Sequence, residues 1–81
     1  MKLNKYLKAV QALQAKAINR NDIKMFEVDI RNYEDGEVSV WVTTQLVGSE
    51  EFHYFVLYTF FDKEQNDKLL AELTAWLEGA E

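Results

Sequence analysis

The sequence predicts an α+β domain. It reads as a two-layer sandwich in the order α-β-β-β-α, with a three-stranded antiparallel meander carrying both helices on one face. Apolar residues recur every three or four positions over 3–18 and again over 63–78, the period of an amphipathic helix. Between those stretches the period falls to two, the mark of strands. Two polar, glycine-containing clusters, Glu34-Asp35-Gly36 and Val47-Gly48-Ser49-Glu50-Glu51, cut that region into three lengths.

The first helix, 3–18, places Leu3, Tyr6, Val10, Leu13 and Ala17 on one stripe, joined by Leu7 and Ile18. Asn4 is a candidate cap for its start. The cluster Asn19-Arg20-Asn21-Asp22 offers residues that tolerate a left-handed conformation at its end.

The first two strands are expected at 23–33 and 37–46. Phe26, Val28 and Ile30 alternate with Glu27, Asp29 and Arg31; Val38, Val40, Val42, Thr44 and Leu46 alternate with Ser39, Trp41, Thr43 and Gln45. A two-residue Asp35-Gly36 loop would pair Ile30 with Trp41 and set the two apolar faces on opposite sides of the sheet. A three-residue loop, Glu34-Asp35-Gly36, pairs Ile30 with Val40 and Val28 with Val42, and it needs a left-handed residue at its last position. Gly36 meets that need.

The third strand is expected at 52–60, within "FHYFVLYTFF", a stretch of ten residues without a charge. The last helix, 63–78, opens on Asp62 with Gln65 three positions later, the spacing of a capping box. Leu69, Leu70, Leu73, Trp76 and Leu77 form its apolar stripe, and Gly79 can end it. No repeat, linker or proline interrupts residues 1–81, which read as one domain.

Matching the even-numbered faces pairs Val42 with Val56, Val40 with Tyr58 and Leu46 with Phe52. Tyr54 and Val56 then face the helices. Trp41, Phe55 and Leu57, with His53 beside them, fall on the uncovered face, where they are the expected interface residues. Strand three would also lie at an edge with no charge or proline to discourage pairing. A surface of that kind calls for a partner, either a second copy in a homodimer or another protein.

Composition narrows the function. A chain of 81 residues buries only about 60% of its unfolded surface, yet 48% hydrophobic residues at net charge -5 make it too apolar to be disordered. Cysteine is absent, which excludes disulfides and thiolate metal sites. The start, "MKLNKYLKAVQALQAKA", imitates a signal sequence, but Lys8, Gln11 and Gln14 interrupt its apolar run, so a cytoplasmic protein without membrane association is expected.

Charge is polarised along the chain. Residues 1–31 hold seven Lys or Arg against three acids, and residues 32–81 hold two against eleven. Lys2, Lys5, Lys8, Lys16 and Arg20 would make helix one basic beside an acidic last helix, an arrangement that gains mutual attraction. The acidic second half also suits an inhibitor or nucleic-acid mimic that binds a basic protein, the alternative to an interaction domain.

The α-β-β-β-α order resembles that of the double-stranded RNA binding domain, a likeness of topology over the whole chain carried by no motif. That family grips RNA with helix one, with a loop between strands one and two of Gly-Pro-x-His type, and with lysines opening helix two. Here the loop is Glu34-Asp35-Gly36-Glu37. Helix two opens "DKEQNDK", where Asp62, Glu64 and Asp67 outnumber Lys63 and Lys68. Phosphate binding needs the opposite sign, so no nucleic-acid partner is expected.

Catalytic residues are not found. His53 is the lone histidine and sits in an aromatic strand, where a packed ring is the usual state. Ser39 and Ser49 lack a base, and Asp35, Glu37, Glu50 and Glu51 lie in turns at opposite ends of strand two, so no metal or cofactor site is expected. The reading is a non-enzymatic interaction or adaptor domain acting as a homodimer.

Overall fold

The structure is a computed structural model that describes residues 3–79; Lys2 of the basic set lies outside the described residues. Its elements are α1 (Asn4–Ala17), β1 (Ile23–Asn32), β2 (Val38–Leu46), β3 (His53–Tyr58) and α2 (Lys63–Glu78). The three strands form one antiparallel sheet in the order β1-β2-β3. Both helices pack on one face of it, as the apolar patterning predicts.

The core joins Leu3, Tyr6, Val10, Leu13 and Ala17 from the α1 side to Val40 and Val42 of β2, Leu57 of β3, and Leu73 and Leu77 of α2. The α1 stripe is therefore buried as expected, except that Leu7 is half-buried and Ile18, beyond the last turn, is exposed. Two expectations about the ends of α1 fail. Leu3 occupies the N-cap and no side chain caps it, so Asn4 is the first helical residue. No non-glycine residue among the described ones has positive φ; the helix instead tightens through Asn19 N–H to Lys16 C=O (3.2 Å) and Arg20 N–H to Ala17 C=O (3.0 Å).

The helices run side by side in the same direction. Near their starts the Tyr6 hydroxyl donates to Asp67 Oδ1 at 2.6 Å. Beyond the end of α1, Arg20 Nη1 donates to the C=O of Leu77 at 2.7 Å, placing a cation where the α2 dipole is negative. Among the described residues Arg20 pairs with Asp22, and Lys63 with Asp67 of its own helix, each at 2.7 Å, while Lys5 of α1 attracts Asp67 of α2 across the helix pair.

The first hairpin follows the expected register, with Ile30 opposite Val40 and Val28 opposite Val42. Tyr33 N–H donates to Glu37 C=O (2.9 Å) and Gly36 N–H to Tyr33 C=O (3.0 Å), closing the three-residue loop with Gly36 at φ 90. At the far end of β1 the register shifts between Ile23 and Met25. That irregularity turns Ile23 toward the helices although it is odd-numbered, and it packs against the core.

The second pairing corrects the sequence reading. Val40 lies opposite Leu57, Val42 opposite Phe55 and Thr44 opposite His53, one residue away from the expected pairing of Val42 with Val56. A one-residue slip exchanges the faces of a strand. His53, Phe55 and Leu57 therefore turn toward α2, and Tyr54, Val56 and Tyr58 occupy the uncovered face. Leu57 is 1% exposed and Tyr54 62%, the reverse of the expected burial.

After β3 the chain turns through Phe61 N–H to Tyr58 C=O (3.0 Å), and α2 starts on the expected capping box. Gln65 N–H donates to Asp62 Oδ1 at 2.8 Å, and Asp62 N–H to Gln65 Oε1 at 3.1 Å. One turn in, Asn66 is fully buried and its carboxamide binds the backbone of Tyr58 at both ends. It accepts from Tyr58 N–H at 3.1 Å and donates to Tyr58 C=O at 3.0 Å. This pair locks α2 against the edge of β3.

Candidate interaction surface

The uncovered face is built from the odd-numbered residues of β1 and β2 and the even-numbered residues of β3. Three cross-strand rows follow from the pairing: Arg31, Ser39 and Tyr58; Asp29, Trp41 and Val56; Glu27, Thr43 and Tyr54. Its β1 side is charged, and its β3 side is apolar.

Trp41 at the centre is held by its neighbours. Its indole N–H donates to Ser39 Oγ at 2.9 Å, and the Arg31 guanidinium lies 4.5 Å from its ring centroid. Ser39 is buried beneath this group and also bonds the Tyr33 hydroxyl at 3.0 Å. The indole donor is thus spent inside the chain, and the ring contributes area rather than hydrogen bonds.

Along β3 the same face carries Tyr54, Val56 and Tyr58, flanked by Phe52 just before the strand and Phe60 beyond it. Ring contacts join Phe52 to Tyr54 (6.4 Å), Tyr58 to Phe60 (5.9 Å) and Tyr58 to Tyr33 (5.7 Å). Phe52, Tyr54 and Phe60 are exposed and Val56 and Tyr58 half-buried. Burial, with Tyr33, Asp35 and Glu37 nearby, raises the Tyr58 hydroxyl above the ordinary tyrosine value, so it stays neutral at physiological pH.

The backbone of β3 adds a second feature. Thr59 N–H donates to Val38 C=O at 2.9 Å. Bonding direction alternates along an antiparallel strand, so His53, Phe55 and Leu57 address β2, while Tyr54, Val56 and Tyr58 address the outside. Asn66 satisfies Tyr58. Among the described residues nothing pairs with the outward groups of Tyr54 and Val56.

Of the four residues the sequence marks as an interface, Trp41 alone lies on this face. Leu57 is in the core, Phe55 packs against it, and the His53 and Phe55 rings lie 5.9 and 6.4 Å from that of Trp76 on α2. Tyr54, Val56 and Tyr58 take their place. The sequence reading also missed Ser39 and Asn66. The available signals were a small polar residue two positions from a tryptophan, and an asparagine on the stripe that continues through Leu73 and Leu77.

Among the described residues nothing groups three or more metal-ligating side chains and no helix is long and apolar enough to cross a membrane. One surface depression, about 430 Å³, lies between the end of α1 and β1; another, about 260 Å³, lies where the start of α1 meets the first hairpin. Neither lining holds a histidine, carboxylate, serine or cysteine. Comparison with known protein families, curated proteins and solved structures finds no match for this chain.

Proposed function

We propose that this chain is a non-enzymatic protein-protein interaction domain that works in the cytoplasm through β3 and the uncovered face of its sheet. The observation that carries the reading is the uncharged row Phe52, Tyr54, Val56, Tyr58 and Phe60, set on the side away from the helices, beside two outward-facing backbone positions that have no partner among the described residues. Burying such a row is worth roughly 25 cal/mol per Å² before the costs of association, and backbone pairing at the edge adds direction. The acids support an acidic mimic less well: Glu34, Asp35 and Glu37 lie at one end of β2, and Glu50 and Glu51 at the other.

The test is a side-by-side affinity purification with the wild-type chain and a Trp41→Glu, Tyr54→Glu double variant as baits, after both are shown to be folded. A protein, whether another copy or a foreign chain, that is retained by the wild type and lost on the variant supports the reading. Equal retention on both baits overturns it.

A further inference from the structure

We infer that the partner at this surface is a second copy of the chain, joined by antiparallel pairing of β3 with β3 about a two-fold axis at Tyr54. This rests on the interaction reading above. It follows from where the charges and the free backbone groups lie.

Two copies of a chain with net charge -5 repel one another on the whole. Residues 52–61 carry no charge, so the β3 edge lets two copies approach without opposing acids. Stacking the two uncovered faces does not. With the axis along the strands, Glu27 and Asp29 of one copy would be buried against the apolar row of the other; with the axis across the strands, they would oppose the same acids in the partner. Edge pairing keeps both acids in water, two strands away.

Asn66 sets the register. Because it occupies the backbone of Tyr58, a strand laid against β3 can use Val56 and Tyr54 and must leave the edge before Tyr58. An axis at Tyr54 meets that limit: Tyr54 pairs with its own twin, Val56 with Phe52 of the partner, and the partner's chain then turns off through Glu51 and Glu50. On the uncovered face these pairs set Tyr54 beside its twin and Phe52 beside Val56, so each contact is aromatic or aliphatic. Centring on Phe55 instead would place Phe52 of the partner opposite Tyr58, where Asn66 already stands.

The axis makes a specific demand, testable by sedimentation equilibrium on Tyr54→Lys, Tyr54→Glu and their equimolar mixture. Residue 54 is solvent-facing in the single chain, so both variants should fold, as circular dichroism would verify. Wild type should dimerise below about 100 µM, and each variant alone should associate more weakly, since like charges meet at the axis. The mixture should associate at least about fivefold more tightly than either variant alone, since lysine then faces glutamate. A wild type that stays monomeric at about 100 µM, or a mixture no tighter than its components, overturns the inference. The interaction reading would survive that result if the bait comparison still returned a partner lost on the double variant.

Discussion

Asn66→Ala is the substitution whose cost the structure fixes most closely. It removes two hydrogen bonds, at 3.1 and 3.0 Å, to one backbone unit. The Tyr58 carbonyl keeps its bond from Phe61 N–H, so one group, the Tyr58 N–H, loses its partner. Loss of the bond to the carbonyl, which keeps another donor, costs about 1 kcal/mol, and leaving the Tyr58 N–H without a partner costs about 1–3 kcal/mol. Together these predict a loss of about 2–4 kcal/mol, from a domain whose whole stability is roughly 4–12 kcal/mol at ordinary values per residue. Urea unfolding should show the midpoint falling with the slope unchanged, and the thermal midpoint should fall by about 8–30 °C. A loss under about 0.5 kcal/mol would refute the assignment of Asn66 as the clamp between α2 and β3.

Three other substitutions test separate parts of the account. Leu57→Lys should unfold the domain, because it puts a charge into the core, whereas Tyr54→Lys should leave the fold intact by circular dichroism; the opposite ranking would restore the rejected register. Gly36→Val should cost about 1–3 kcal/mol in thermal unfolding, since φ of 90 is hostile to a β-branched residue, while Asp35→Ala should cost less. Lys63 and the Tyr6 hydroxyl hold the Asp67 carboxyl below the ordinary carboxylate range. Its folded-state pKa is thus below its unfolded one, so its stabilisation is present above about pH 4 and is lost as pH falls through the folded value. Asp67→Asn should flatten the decline of stability below about pH 4, and an unchanged acid limb would contradict the pairing.

The parts of the fold that were legible in the sequence are those where a residue had one acceptable environment. Val10 and Leu13 recur at helical spacing among lysines and glutamines, so their burial was decided. Gly36 sat at the loop position that needs positive φ, and Glu27, Asp29 and Arg31 marked the wet side of β1. The third strand offered no such contrast. Tyr54, Val56 and Tyr58 are as apolar as His53, Phe55 and Leu57, so alternation could not choose a face, and matching even numbers chose the wrong one. What selects the register is tertiary: Leu57 fits beneath Leu73 and Leu77, and Asn66 reaches the backbone of Tyr58. A partner of that kind leaves no periodic signal. The candidate surface was legible as a location, the third strand and Trp41, but not as a set of side chains.

Amide hydrogen exchange along β3, followed residue by residue at low and high protein concentration, tests the central claim most directly. Phe55 and Leu57 should be protected at every concentration, because they bond to β2, and Tyr58 should be protected by Asn66. Tyr54 and Val56 should exchange freely in dilute solution and become protected as the concentration rises toward about 100 µM, where two edges pair. Concentration-independent exchange at Tyr54 and Val56 would contradict pairing at the edge, and protection of Tyr54 and Val56 in place of Phe55 and Leu57 in the dilute protein would contradict the register beneath it.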